Sequence, residues 1–574
     1  MDLGTLYDVR DISSLKDMLE QSGKLYAEKN AFLLRNQDGS YNGITYSEFL
    51  SDVNAMGTAF ADMGLKGRFI AVLGENRYEW GVTYLSAVNG TGVIVPIDKE
   101  LPISDIENIL RRCNAEVLVF SGKYTNIAKE IIKRNIPVKY LINMDLEENS
   151  EEFISYGRLL QKGRELMENG NRDFLDAVPD KERMSVLLFT SGTTGFSKGV
   201  MLSHNNICSV ITSVCKTVMV YPTDTCLSIL PLHHTYECTI GFLAMLYCGC
   251  TISFNDNLRQ VARNLKEVKP TFLVTVPLLL ENMYKKIWDQ AGKKPGGKLV
   301  LRGALGLASF LNSVFNIDIR RKLFKAVHEN LGGNLRMVVS GAAALDPRIS
   351  EGFRNMGILV LQGYGLTECA PLVVGNRDRA YKDGSAGVPL PGVQMKIDDP
   401  DDKGIGEILV KGDMIMLGYF EDKAATEKTI TDGWLHTGDL GRIDRDGFLY
   451  ITGRSKNVIV TKNGKNIYPE ELEASINQSP LVLESMVFGE LNRETGETHV
   501  YAQILPNLDA IKEKLKVVNI SKEDVHKIFD ELIKGINKEA PLYKRIEKFS
   551  VRQSEFIKTT TQKIKRHLDQ NKHE

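Results

Sequence analysis

The segment from Val186 to His204, VLLFTSGTTGFSKGVMLSH, joins a short apolar run to a loop of hydroxyls and glycines and then to one lysine. Val186, Leu187, Leu188 and Phe189 predict a buried strand, which Ser191 and Gly192 bring to an end. The loop offers hydroxyls at Thr190, Ser191, Thr193 and Thr194, pliant backbone at Gly192 and Gly195, and the cation of Lys198. Such a set suits the holding of phosphate oxygens. A P-loop is excluded, because it requires G-x-x-x-x-G-K followed by Ser or Thr, and here Lys198 lies three residues beyond Gly195 and precedes Gly199. Taken alone, the segment also reads as a flexible surface turn.

Four more segments carry candidate chemistry. QGYGLTE, Gln362 to Glu368, follows the apolar Ile358 to Leu361; Tyr364 gives a flat face for a base, Thr367 a hydroxyl for phosphate, and Glu368 a hard oxygen for Mg²⁺. In WLHTGDLG, Trp434 to Gly441, Asp439 can accept from both hydroxyls of a ribose, although an aspartate between glycines is more often a solvated turn residue. GRSKNVIVTKNGKNIYPEELE runs from Gly453 to Glu473, and FIKTTTQKIKR from Phe556 to Arg566 reads as a solvated basic segment or a phosphate-binding patch.

These segments need a large framework. With 574 residues the chain exceeds one compact core and should divide into domains. A hydrophobic content of 43%, a charged content of 25% and a formal net charge of -1 describe a globular protein that does not bind nucleic acid through bulk charge. Neither a secretory signal nor an apolar run of about 20 residues is present, so a cytoplasmic location is expected. Six of the eight cysteines, Cys208 to Cys250, fall near His204, His233 and His234; their spacing matches no structural zinc pattern, and they are expected to be small buried hydrophobes.

From about Tyr46 helical patterns alternate with strand candidates at Phe69 to Leu73, Gly92 to Pro96, Ala115 to Phe120, Val138 to Ile142 and Thr271 to Thr275. That alternation predicts doubly wound α/β sheets. After about Gly384, short strands with Gly- and Asp-rich turns predict a small β-rich subdomain over about 384–454. Mixed helices and strands resume beyond a boundary near Ser455, with Ser521 and Asp524 spaced as a capping box.

In this order and with these separations the segments resemble the adenylate-forming superfamily of acyl-CoA synthetases, adenylation domains and luciferases. The likeness runs from Ile44 to Arg566, and LPLHHTYE (Leu230 to Glu237) with KPTFLVTVPLLLENMYKKI (Lys269 to Ile287) looks like the long-chain fatty acid CoA ligases. The resemblance implies an N-terminal domain over 1–454, made of two doubly wound α/β subdomains and the β-rich one, and a mobile α+β C-terminal domain over 455–574 hinged near Lys456. It implies that Thr190 to Lys198, including Ser191 to Gly195, wraps the β- and γ-phosphates of ATP. Ser340, Gly341, Ala342 and Ala343 would line the adenine with Tyr364, and Gln362, Gly363 and Gly365 would stand alongside. Thr367 would meet the α-phosphate, Glu368 the Mg²⁺, and Asp439 and Arg454 the ribose. Lys563 would be the C-terminal catalytic lysine, and the Gly464 loop would meet the pantetheine arm of CoA. His234 reads as a gate near the substrate carboxylate or as a structural histidine.

Three positions depart from the family pattern: Ser197 and Ile557 stand where proline is usual, and Gln562 where glycine is usual. Gln562 bears on rate, because glycine there permits backbone geometry that glutamine resists. The implied reaction is activation of a fatty acid as its adenylate and transfer to CoA. The same residues would serve an acyl carrier protein acceptor, another carboxylic acid, a luciferase-like oxygenase or a degenerate binding protein. A monomer or homodimer is expected. Leu299 to Val327, apolar and then basic, reads as an ordinary packed insertion, with peripheral contact to the inner face of a membrane as the alternative.

Overall fold

The computed structural model describes residues 3–190, 197–315, 317–460, 465–491, 498–558, 564–566 and 568–572. Two large sheets dominate it. One has eight strands, and Val93–Ile97, Phe69–Leu73, Val117–Phe120 and Tyr140–Asn143 lie side by side in parallel near its centre. Met184–Thr190 joins Val93–Ile97 in parallel and then turns back through the antiparallel Lys198–Ser203. The other has nine strands, with Leu359–Tyr364, Met337–Ser340, Phe272–Thr275, Thr225–Ser228 and Thr251–Phe254 parallel through its middle. Helices cover both faces of such sheets, so their strands read as continuous apolar runs, and every residue of Val93–Ile97 and of Phe272–Thr275 is buried. The doubly wound expectation holds; Phe69–Leu73 has the predicted bounds, and the other four predicted strands differ from the observed ones by one to two residues, mostly at their starts.

A smaller sheet of five strands follows, in which Gly406–Lys411 and Leu449–Arg454 flank the ten-residue Trp434–Ile443. Here the turn reading of WLHTGDLG is corrected: Asp439 sits inside a strand and is 5% exposed. Gly438, at φ 68°, and a register shift at Leu440/Gly441 show why a strand carries turn-like composition, since a bulge bends it locally.

The chain ends in a three-stranded sheet, Val482–Leu491, Thr498–Pro506 and Lys548–Val551, packed against Pro469–Asn477 and Lys522–Glu539 through Leu472, Ile476, Phe529 and Ile533. Ser521 and Asp524 form the expected capping box. This unit is tied to the turn that follows the five-stranded sheet by Asn457, whose amide donates to Glu470 (2.6 Å), and to the loop between Gln394–Asp398 and Gly406–Lys411 by the Lys403 ammonium and Tyr543 hydroxyl (3.2 Å).

All eight cysteines are free thiols and seven are buried. The expected insertion is helical and packs on the body of the protein along one face. Gly297–Phe315 is one helix whose inner face, Leu301, Ala304, Leu305 and Ala308, meets Tyr284, Ile287, Phe324 and Met356, while its outer face is exposed.

Candidate functional site

Ligands of open α/β sheets bind in the crevice outside the carboxyl ends of the strands. In the nine-stranded sheet those ends bring Thr275, Ser340 and Gln362 into one row, Thr275 opposite Ser340 and Ser340 opposite Gln362. The Thr275 and Ser340 hydroxyls are buried and have no hydrogen-bond partner among the described residues. Buried polar atoms are paired in folded proteins, so a row of unpartnered hydroxyls at this place is what a polar ligand would complete. Gln362 is already engaged, its side-chain oxygen accepting from the Leu345 amide at 2.9 Å.

Gly341 follows the row. A Cβ there would come within 2.8 Å of the Tyr236 ring, whose hydroxyl donates to the Val339 carbonyl at 3.1 Å. Ala342, at φ 71°, then turns the chain sharply, with Ala343 exposed behind it. Gly365 allows a closer approach still, since a Cβ would lie 1.9 Å from the Pro371 carbonyl oxygen. Neither position has room for a methyl group, and that fixes the backbone on both sides of Gln362, Gly363 and Tyr364.

Across the crevice the Tyr364 hydroxyl donates to Asp439 Oδ2 at 2.8 Å, and Arg454 Nε lies 2.8 Å from Asp439 Oδ1. Strand register sets this pairing, with Asp439 directly opposite Arg454. Burial pushes the Tyr364 phenol well above its ordinary range, with the Asp439 charge adding to the effect, so it remains a donor. A carboxylate offers about four lone-pair sites, so Asp439 retains acceptor capacity after both contacts. Lys456, two residues past Arg454 in the short turn Ser455–Asn457, has its ammonium pKa lowered by burial and then by Arg454.

Thr367 and Glu368 occupy a single 3₁₀ turn, Thr367–Cys369, just after Leu359–Tyr364. Glu368 Oε1 accepts from the Tyr419 hydroxyl at 2.8 Å, and the Lys198 ammonium stands 4.4 Å from the centre of the Tyr419 ring. Tyr419 thus links the lysine of the first segment to the carboxylate of the second. Sequence reasoning missed it: Gly418–Tyr419 is a two-residue edge strand held against Val200 and Met201, and no local pattern marks it. A cleft of about 360 Å³ opens on the Lys198 side, bounded by Arg112, Tyr419 and Asp422. Thr190 and Lys198 face each other in antiparallel register.

The His234 ring lies 4.2 Å from that of His233, centre to centre. His233 Nε2 is 3.3 Å from Asp98 Oδ1, and among the described residues this trio is the one grouping with metal-ligating potential. Glu237, on the same segment, is fully buried; Ser228 donates to it at 2.6 Å, and desolvation pushes its carboxyl up to about 8.

Ser191, Gly192, Thr193, Thr194, Gly195, Gly464 and Lys563 lie outside the described residues. Around Lys563 the described flanks are informative: Lys558 and Ile564 form an antiparallel bridge, and Lys558 Nζ lies 2.6 Å from Glu484 Oε2. Nearby, Arg566 pairs with the buried Glu473, whose carboxyl burial pushes up to about 7 against the pull of the guanidinium.

Comparison with known proteins agrees with this architecture. A family model described as AMP-binding enzyme matches residues 19–420, and one described as AMP-binding enzyme C-terminal domain matches residues 456–572. Long-chain-fatty-acid–CoA ligase 5 of Mus musculus is 30% identical over 533 residues, covering 87% of this chain and 76% of its own. Fatty acyl-CoA synthetase B of Dictyostelium discoideum is 27% identical over 570 residues, 92% of this chain and 83% of its own. Among solved structures, the anthranilate CoA ligase AuaEII in complex with anthranoyl-AMP superposes with a TM-score of 0.75 at 21% identity, covering 98% of this chain and 97% of that one. A Mycobacterium tuberculosis fatty acyl CoA synthetase gives a TM-score of 0.66 at 21% identity, with 96% of each chain covered. The chain, matched over both regions, belongs to the AMP-binding enzyme family.

Proposed function

We propose that the protein is a long-chain fatty acid–CoA ligase, which joins a fatty acid to AMP at the expense of ATP and then passes the acyl group to CoA. The observation that carries the reading is the buried Asp439, held by Tyr364 and Arg454, together with the buried hydroxyls of Thr275 and Ser340, which have no partner among the described residues. That is the arrangement a nucleoside needs: acceptors for ribose hydroxyls, and a polar pocket with an aromatic wall for the base. Family membership and relatives named as fatty acyl-CoA synthetases support an acid–thiol ligase of the AMP-forming class.

In the first step a carboxylate oxygen of the substrate bonds to the α-phosphorus of ATP while the bond to the bridging oxygen breaks and pyrophosphate departs. An anion here approaches a polyanion, so the protein supplies positive charge and position more than proton transfer. Lys198 and the hydroxyl loop hold the departing end, Thr367 the α-phosphate, and Lys563 the charge that develops between them. Glu368 beside Thr367 would hold Mg²⁺; a carboxylate with one oxygen already occupied by Tyr419 fits an ion that keeps most of its waters. When bound, that ion offsets phosphate charge. In the second step the CoA sulfur attacks the acyl carbon and AMP leaves, and rotation of the C-terminal domain about Lys456 would withdraw Lys563 and bring the Gly464 loop to the pantetheine arm.

The test is pyrophosphate release from ATP with acids from short to very long, each with and without CoA. Release that requires a long-chain acid and accelerates with CoA is expected. Release indifferent to CoA would point to a carrier protein as acceptor, and no release with any fatty acid would overturn the reading.

A further inference from the structure

We infer that the outer face of the helix Gly297–Phe315 is a docking surface for an anionic lipid bilayer. Leu299, Val300, Leu307, Phe310, Val314 and Phe315 are each at least half exposed, from 50% for Leu307 to 75% for Leu299. Leu299, Leu307, Phe310 and Val314 recur at the spacing of one helical face, opposite the Leu301, Ala304, Leu305 and Ala308 that meet the body of the protein. The helix is thus apolar on both sides. A helix at the surface of a monomeric globular protein turns its apolar stripe inward and charges outward, and a contiguous outward apolar stripe marks an interaction site.

Charge selects the occupant. Between residues 290 and 325 there are eight Lys or Arg and one acidic residue, Asp318, which is already paired with Arg320. Lys293, Lys294, Lys298 and Arg302 cluster at the start of the helix, and Arg320, Arg321, Lys322 and Lys325 follow its end. An apolar strip with a cluster of cations at its start matches the acyl region and anionic headgroups of a leaflet, with the helix lying in the interface plane. Spanning is excluded for this element: no described helix is long and apolar enough to cross a membrane.

The inner face connects the surface to the site. The helix packs on Met356 and Tyr284; Tyr284 in turn packs on Phe353 and belongs to the same apolar cluster as Val338 and Val360, residues of the strands that end in Ser340 and Tyr364. For the fatty acid ligase proposed above, and resting on that reading, a bilayer on this face would present the acid beside the wall of its pocket.

The experiment is co-sedimentation of the full chain with vesicles of phosphatidylcholine alone and of phosphatidylcholine with phosphatidylglycerol. Binding to the anionic vesicles and little to the neutral ones is expected. The triple variant Leu299→Ser, Leu307→Ser, Phe310→Ser and, separately, Lys298→Glu with Arg302→Glu should each lower the partition coefficient by about tenfold or more. These side chains face outward, and an unchanged denaturation midpoint verifies that the variants fold. No binding by the parent chain, or equal binding by both variants, overturns the inference. So does lipid-free self-association of the parent that the triple variant abolishes, which would make the face a contact between copies. Failure here leaves pyrophosphate release untouched, so it is distinguishable from failure of the ligase reading.

Discussion

The Tyr364 hydroxyl meets Asp439 at 2.8 Å although the two residues belong to different sheets, 75 positions apart in the chain. Arg454 completes the group from a third strand. The carboxylate is therefore fixed from two sides, by a phenol on one strand and a guanidinium on another.

Removing one donor from a buried carboxylate costs about 1.5–3 kcal/mol, equivalent to a factor of about 10–100. Tyr364→Phe should raise the KM for ATP within that range, and Asp439→Ala should lower kcat/KM further. Pyrophosphate release against ATP concentration measures both. A Tyr364→Phe enzyme with unchanged KM would show that Asp439 does not touch the nucleotide.

Tyr419 holds one oxygen of Glu368, so Tyr419→Phe should loosen that carboxylate without removing it. A roughly 3–10-fold rise in the Mg²⁺ concentration for half-maximal rate is expected, with Glu368→Gln far more severe. Titrating Mg²⁺ at saturating ATP tells the two apart; equal effects would mean that Tyr419 acts through Lys198 instead.

Lys563→Ala should lower adenylation by about a hundredfold or more while leaving thioester formation from a supplied acyl-adenylate within about threefold. Each half-reaction is measured separately, the first by pyrophosphate and the second by loss of free thiol. Comparable losses in both would contradict a lysine that serves only the first.

Glu237 gives a pH dependence with a definite sign. Its folded pKa of about 8 stands above the ordinary carboxyl value, so the folded chain keeps a proton that the unfolded chain has released. Stability from this group therefore falls as pH rises from about 4.5 to about 8 and levels off above. Glu237→Gln mimics the protonated form and should be more stable than the parent at pH 8.5 by about 2–4 kcal/mol, with the gap closing near pH 5. Urea denaturation at the two pH values decides it, and a variant less stable at both would mean that the charged form is the native one.

The parallel strands were readable in the sequence because burial on both faces leaves continuous apolar runs, as in Val93–Ile97 and Phe272–Thr275. Thr367 and Glu368 were readable because their turn lies directly after such a strand. Tyr419 was not, because its partner Glu368 is 51 residues away and only sheet pairing to Val200 brings it near. Asp439 misleads by composition, since the glycines that suggest a solvated turn belong to a bulged strand. In Gly297–Phe315 periodicity tells which residues share a face; whether that face has a neighbour depends on the rest of the fold.

Arg454 both clasps Asp439 and ends the last strand before the turn containing Lys456. One guanidinium is thus at once part of the site wall and the final fixed point of the tether to the C-terminal sheet. Under the proposed reaction, a ligand that drew Asp439 away from Arg454 would also strain that tether, and a swing of the C-terminal domain that moved Arg454 would change what Asp439 can accept. Occupancy of the crevice and orientation of the domain would then be linked variables, each altering the other by the same free energy, whichever is moved first.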